Sequence, residues 1–253
     1  MKGVLFMIVY DPNQKVFIST FINDDRFIAG FGTKFLGDAR HPERIFQALK
    51  QLNIAYKTVV IPEQIHSVNI DAYKLKEAKE VDTITDTDGV ITQEEGVVLT
   101  VISGDCLPIV FVDKKQQMIG ISHQGWRGSL KKMVQRMIRK MTEAGCKQEN
   151  IFVALGPSIG VCCYDVDDDR YFTFMSELDG YSDRIFFPYH GKRHLNLPLL
   201  NYLLLTEAGI PKEHIDFFPF CTKCDTERFF SFRRDEKKDY GEMMSFIVKQ
   251  ASK

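Results

Sequence analysis

The chain has 253 residues, 44% hydrophobic and 26% charged, values near the globular average that exclude disordered, collagenous and coiled-coil classes. Thirty-three Lys and Arg against 34 Asp and Glu leave a formal net charge of -1, so the overall charge offers no general grip on nucleic acid or an anionic membrane. Six cysteines do not make a disulfide scaffold at this length and no Asn-x-Ser/Thr sequon occurs, which points to a reducing cytoplasm and free thiols.

In chain order, the apolar opening reads as a first strand at 4–10. It has the length of a signal-peptide core, but only Lys2 precedes it, Asp11-Pro12 ends it and no small-x-small cleavage site follows. No run reaches the ~20 apolar residues needed to span a bilayer. Further strands are predicted at 16–21, 58–61, 97–102, 109–112, 118–122, 151–155 and 214–218, each rich in Val, Ile or Phe and bounded by turn-forming residues. One helix opens at Pro42 and buries Ile45, Phe46, Leu49 and Leu52. The clearest helix covers 130–144, where Leu130, Met133, Val134, Met137, Ile138 and Met141 form one stripe, with Ser129 as N-cap and Gly145 as the stop. Another runs from Pro198 to Gly209, and 241–249 is a fourth candidate. Strands come in clusters rather than alternating with helices. The expected fold class is therefore α/β (α+β): layered mixed β-sheets flanked by a few helices, in one domain spanning 1–253.

Three polar segments interrupt this apolar frame: Pro62-Glu63-Gln64-Ile65-His66-Ser67, Ser103-Gly104-Asp105-Cys106-Leu107-Pro108 and His123-Gln124-Gly125-Trp126-Arg127-Gly128. Pro108 cannot donate a ladder hydrogen bond, so a bulge or strand end is expected there. The third segment turns through glycines into the predicted 130–144 helix, which places Arg127 and free backbone N–H groups where an anion could bind. Singly, each His or Cys here reads as an ordinary buried residue. Together, His66, Cys106 and His123 sit at or near the ends of apolar runs and can converge. Two imidazoles and a thiolate are a three-ligand set for zinc, with a fourth position left for water. Other patterns weigh less. Asp86-Thr87-Asp88-Gly89 with Glu95 only partly matches a calcium loop, since Ile84 falls at the first ligand position. Cys221-x-x-Cys224 suggests a redox pair or half a zinc ribbon, but it has no second such pair, because Cys162 and Cys163 are adjacent. The basic residues from Lys131 to Lys140 read as a solvated helix face. No phosphate loop, dinucleotide fingerprint or nucleophile elbow occurs.

Six ordered blocks carry a resemblance: Gln64-Ile65-His66-Ser67; Thr87-Asp88-Gly89; Gly104-Asp105-Cys106-Leu107-Pro108; His123-Gln124-Gly125-Trp126-Arg127-Gly128; Leu155-Gly156-Pro157-Ser158-Ile159-Gly160 with Cys163-Tyr164-Asp165-Val166; and Phe229-Phe230-Ser231-Phe232-Arg233-Arg234. The chain resembles the YfiH/YlmD family, once called laccase-like multicopper polyphenol oxidases. The resemblance implies a single domain similar to a cysteine-hydrolase-like fold and zinc held by His66, Cys106 and His123. It also implies an enzyme that phosphorolyses adenosine, inosine and methylthioadenosine and deaminates adenosine, while some members are linked to correcting misincorporated serine in peptidoglycan precursors. This sequence departs from the family pattern at Gln124 (usually Ala), Asp165 (usually Glu) and Glu242 (usually Arg).

Both implied reactions make demands on the site. Deamination needs an activated water and a carboxylate to carry the proton, with Asp88 and Asp105 as candidates. Phosphorolysis needs a phosphate dianion, for which Arg127 is placed, with Arg233 or Arg234 assisting. Tyr164 is a candidate for stacking on, or bonding to, the nucleoside. The expected partners are thus purine nucleosides and phosphate, with no nucleic acid or membrane, for a cytoplasmic monomer or small homo-oligomer. The main rival is a hydrolase in which Cys106 attacks an amide with His123 as base. A copper oxidase fits less well, because only six histidines are present and the several copper centres of a laccase need more. The last alternative is a non-enzymatic binding protein with structural zinc.

Overall fold

A computed structural model describes residues 8–178, 180–235 and 240–251. Two mixed β-sheets lie face to face. The first has the strand order Ile8–Asp11, Val16–Ser19, Phe27–Gly32, Met243–Lys249, Val97–Ser103, Thr58–Pro62, Val81–Ile84. The second runs Ile215–Phe217, Ile151–Leu155, Leu107–Asp113, Met118–Gln124, Gly89–Thr92, Ile70–Ala72. A small third sheet joins Asp165–Val166, Lys192–Leu195 and Phe186–Tyr189.

The layering follows from strands buried on both faces. Along Leu107–Asp113, Val110 and Val112 face the core between the sheets, while Leu107, Ile109 and Phe111 pack toward the helices Met133–Glu143 and Leu197–Glu207. On the far side of the first sheet, Val59, Val98 and Phe246 pack with Ile45, Ala48 and Leu49 of the helix Pro42–Gln51. The order is helix, sheet, sheet, helix, so the expected layered α/β class stands. Among the described residues, no helix is long and apolar enough to cross a membrane.

Two expectations change, and a third lies partly outside the described residues. Residues 241–249 are not a helix: Met243–Lys249 is a strand inside the first sheet, paired antiparallel to Phe27–Gly32 and to Val97–Ser103. Met243 and Ile247 face the inter-sheet core and Met244, Phe246 and Val248 the other side, so the apolar run shows no period of two and imitates a buried helix. The predicted 130–144 helix is split into Trp126–Leu130 and Met133–Glu143, because Lys132 between them is left-handed at φ 58. Ser129 therefore lies inside the first piece rather than capping the helix, and its buried hydroxyl accepts a 2.8 Å hydrogen bond from Asn201 Nδ2. Gly145 stops the second piece at φ +99, as expected. The predicted first strand is seen only as Ile8–Asp11, and the rest of 4–10 lies outside the described residues.

Candidate metal centre

The polar segments meet at one end of the two sheets. The strand Val97–Ser103 ends, the chain turns through Asp105 in a left-handed conformation (φ 86), and Leu107–Asp113 begins. This places Cys106 at the turn. His123 is at the end of the neighbouring strand, where it pairs with Pro108. His66 comes from the loop after Thr58–Pro62 and is itself left-handed at φ 59. Such strain in non-glycine residues persists only when the surroundings hold it.

Asp88 supplies that hold. It is fully buried, just ahead of the strand Gly89–Thr92. Its Oδ2 accepts from Ile65 N–H (3.2 Å), Ser67 N–H (2.6 Å) and the Ser67 hydroxyl (2.7 Å). Its Oδ1 accepts from His66 N–H (3.1 Å) and faces His123 Nδ1 at 2.9 Å. Burial raises the Asp88 pKa, but His123 and Ser67 outweigh it and keep the carboxyl below the usual range. One side chain thus shapes the His66 loop and orients the His123 ring. Gln64 braces the same loop by bonding both backbone groups of Ile102 at 2.8 Å each.

The His66, Cys106 and His123 ligand atoms all lie within 4.8 Å of one another. Cys106 Sγ is 3.8 Å from His66 Nε2, and the imidazole rings meet edge to face at 4.8 Å. A shared tetrahedral zinc would set sulfur and nitrogen about 3.5 Å apart, so the spacing fits. Gly125 makes it possible: a Cβ there would fall 2.7 Å from His66 Cδ2 and 3.3 Å from Cys106 Sγ. Burial pushes the Cys106 thiol up, but His123 and His66 beside it bring it down to about 7, toward the thiolate a metal needs. His123 is raised in turn by Cys106 and Asp88, against the effect of burial. The donors and their support fit a divalent ion.

These groups open into a cavity of about 630 Å³. The sequence candidates Arg127, Tyr164 and Arg233 line it. Arg233 is held by Asp165, one of the departures from the family pattern, at 3.2 Å. Burial raises the Tyr164 hydroxyl to about 12, so it stays protonated. Asp105 also borders the cavity, but its carboxylate is committed: Oδ1 accepts from Thr222 (2.6 Å), and Oδ2 from the Ser231 hydroxyl (3.0 Å) and Arg233 N–H (2.8 Å). Asp88 does not line the cavity at all, because its oxygens point into the loop they hold. Neither carboxylate is free in the way a proton carrier requires, which leaves Glu63 and Glu242 as the other carboxylates of the cavity wall. Arg234 bonds backbone carbonyls of Thr222, Lys223 and Phe229 instead of facing the cavity. Gln124 is fully buried and bonds Ser122, away from the cavity, whereas Glu242 is part of the cavity wall.

Sequence reasoning missed Arg170, on the helix Asp168–Glu177. It lines the cavity, lies 4.8 Å over the Trp126 ring that Arg127 also covers at 4.3 Å, and has a buried Nε without a hydrogen-bond partner among the described residues. An Arg in an acidic helix turn carries no signal that separates it from a solvated surface charge.

A family model described as "Multi-copper polyphenol oxidoreductase laccase" matches residues 38–250. The chain is 30% identical to a Bacillus subtilis (strain 168) protein named purine nucleoside phosphorylase YlmD, over 89% of each chain. It is also 30% identical to adenosine deaminase RL5 from an unknown prokaryotic organism, over 73% of this chain and 72% of that one. The fold superposes on the crystal structure of YlmD from Geobacillus stearothermophilus with a TM-score of 0.85 at 26% identity, covering 98% of this chain and 100% of that one.

Proposed function

Because this chain belongs to the multi-copper polyphenol oxidoreductase (laccase-like) family, we propose that it is a zinc-dependent purine nucleoside phosphorylase acting on adenosine, inosine and methylthioadenosine, with adenosine deaminase activity at the same site. The supporting observation is the pairing, in one cavity, of a His-Cys-His donor set with the guanidinium groups of Arg127, Arg170 and Arg233. The names of the related proteins agree with this reading.

His66, Cys106 and His123 would hold the zinc, which when bound supplies Lewis acidity. Arg127, Arg170 and Arg233 bind the phosphate dianion and aim one oxygen at the anomeric carbon. That oxygen bonds to the carbon as the glycosidic bond breaks, and the bonding pair leaves with the base. Tyr164, Phe232 and Tyr240 provide aromatic surface for the purine, while Trp126 backs the Arg127 and Arg170 guanidinium groups. Asp88 keeps His123 in the tautomer that leaves Nε2 free. The protein acts as a soluble cytoplasmic enzyme, as a monomer or small homo-oligomer, without nucleic acid or membrane partners.

The test incubates purified protein with a nucleoside panel, with and without phosphate, and follows free base, ribose 1-phosphate and ammonia. Phosphate-dependent release of base that disappears in Cys106→Ala supports the reading, and no turnover of any nucleoside refutes it. A second reading rests on the same residues: Cys106, His123 and Asp88 also form a thiol, base and orienting carboxylate, the set for amide hydrolysis on a peptidoglycan precursor. Stoichiometric zinc with Cys106 inert to iodoacetamide favours the phosphorylase; a metal-free, rapidly alkylated Cys106 favours the hydrolase.

A further inference from the structure

Four of the six cysteines lie outside the metal centre just described and converge on one another. The sulfurs of Cys162, Cys163, Cys221 and Cys224 all lie within 4.8 Å of one another. Cys224 is 3.3 Å from Cys163 and 3.6 Å from Cys162. Four sulfurs around one ion, each bonded at about 2.3 Å, would be about 3.8 Å apart. The cluster is therefore already near the size of a tetrahedral shell.

The surrounding backbone is built to the same end. Gly160 N–H donates to Cys221 Sγ at 3.1 Å, a bond suited to a sulfur carrying negative charge. A Cβ at Gly160 would sit 3.0 Å from Cys221 Cβ and 3.4 Å from Cys162 Sγ, so a larger residue would push the two segments apart by a few tenths of an ångström. Ser158 and Cys221 form an isolated parallel bridge, reinforced by Thr222 N–H to Ser158 O at 3.0 Å. Arg234, ion-paired with Asp235, bonds the Thr222 and Lys223 carbonyls and fixes the same turn.

We propose that Cys162, Cys163, Cys221 and Cys224 bind a second divalent ion, zinc, in a closed four-sulfur site. Each thiol releases its proton to solvent, four metal–sulfur bonds form, and nothing is oxidised. All four positions are taken by protein, so the ion is structural. It fastens the segment carrying Ile159 and Tyr164 to the one carrying Phe232 and Arg233, and these four residues line the cavity. The site stands independently of any nucleoside chemistry.

The test counts metal per chain in full-length protein purified under reducing conditions. Wild type should carry two zinc ions, while Cys106→Ser and Cys224→Ser should each carry one. After cobalt exchange, Cys106→Ser should keep the intense sulfur-to-metal absorption of four-sulfur coordination and Cys224→Ser should lose it. Should Cys224→Ser fail to fold, the Cys106→Ser metal count and cobalt spectrum decide alone. A single zinc in wild type, lost in Cys106→Ser, overturns the proposal. So does a chain lighter by two hydrogens with a disulfide mapped within the four.

Discussion

Asp88→Asn isolates the support beneath the candidate metal centre without changing side-chain size. The carboxylate receives four donors from the 65–67 loop in addition to facing His123 Nδ1. An amide can replace only one of its two oxygens by nitrogen, and either choice fails. With Nδ2 at the Oδ2 position, it confronts the Ile65 and Ser67 N–H groups, which cannot turn away. With Nδ2 at the Oδ1 position, it opposes His66 N–H and drives His123 to the tautomer with hydrogen on Nε2, where an ion needs a lone pair. Each orphaned buried donor costs about 1–3 kcal/mol, and the cheaper placement orphans one, His66 N–H, so the variant should lose roughly 1–3 kcal/mol. That is a large part of the ~5–15 kcal/mol by which a domain is usually stable. Metal affinity should fall about 10–100-fold.

Urea unfolding of the metal-free protein reads the first number, and competition with a chelator reads the second. The two readouts separate a folding role from a ligand-orienting one. A loss under about 1 kcal/mol, ordinary for a point substitution, together with unchanged zinc affinity would refute the account of Asp88.

Other expectations follow from contacts near the cavity. Gly125→Ala is allowed by its backbone (φ -73) but drives a Cβ into His66, so zinc affinity should drop while the metal-free melting temperature moves little; tight zinc binding in the variant would disprove the close approach. Glu242 puts a carboxylate in the wall that the three arginines share, so Glu242→Gln should lower the KM for phosphate several-fold, at about 0.5–1 kcal/mol, and leave the nucleoside KM nearly unchanged. A rise in the phosphate KM would count against that. Burial raises the Asp38 carboxyl, but Arg40 and the Glu242 and Arg40 N–H groups prevail and hold it below the usual range. Its contribution is therefore present above the unfolded value of about 3.9 and is lost as pH falls through the lowered native value. Asp38→Asn should cost about 1 kcal/mol at pH 7 and progressively less as pH falls below about 4, read by denaturant titration across that range.

What the sequence discloses depends on how locally each feature is encoded. The helix Pro42–Gln51 packs one face, and its period survives in the sequence. The strand Met243–Lys249 is buried on both faces, so burial erases the alternation that would separate strand from helix. The split at Lys132 was hidden for a related reason. The stripe from Leu130 to Met141 continues across it, and all six apolar residues are buried, so the pattern reports burial and not the backbone break.

The same distinction applies to the sites. His66, Cys106 and His123 were legible as a set because each is an odd residue at or near the end of an apolar run, and strand ends on one side of a sheet meet by construction. Their support was not legible. Asp88 reads as a candidate proton carrier, and only the folded chain shows four donors from residues 65–67 closing on it. The four-cysteine cluster failed the spacing test because an adjacent pair and a Cys-x-x-Cys pair do not form two matching knuckles. They meet only because Ser158 pairs with Cys221 across more than sixty residues, through a bridge too short to leave any periodic trace. A ligand set assembled by tertiary pairing has no obligation to a sequence motif, so the chemistry of the residues has to be judged after the chain is folded.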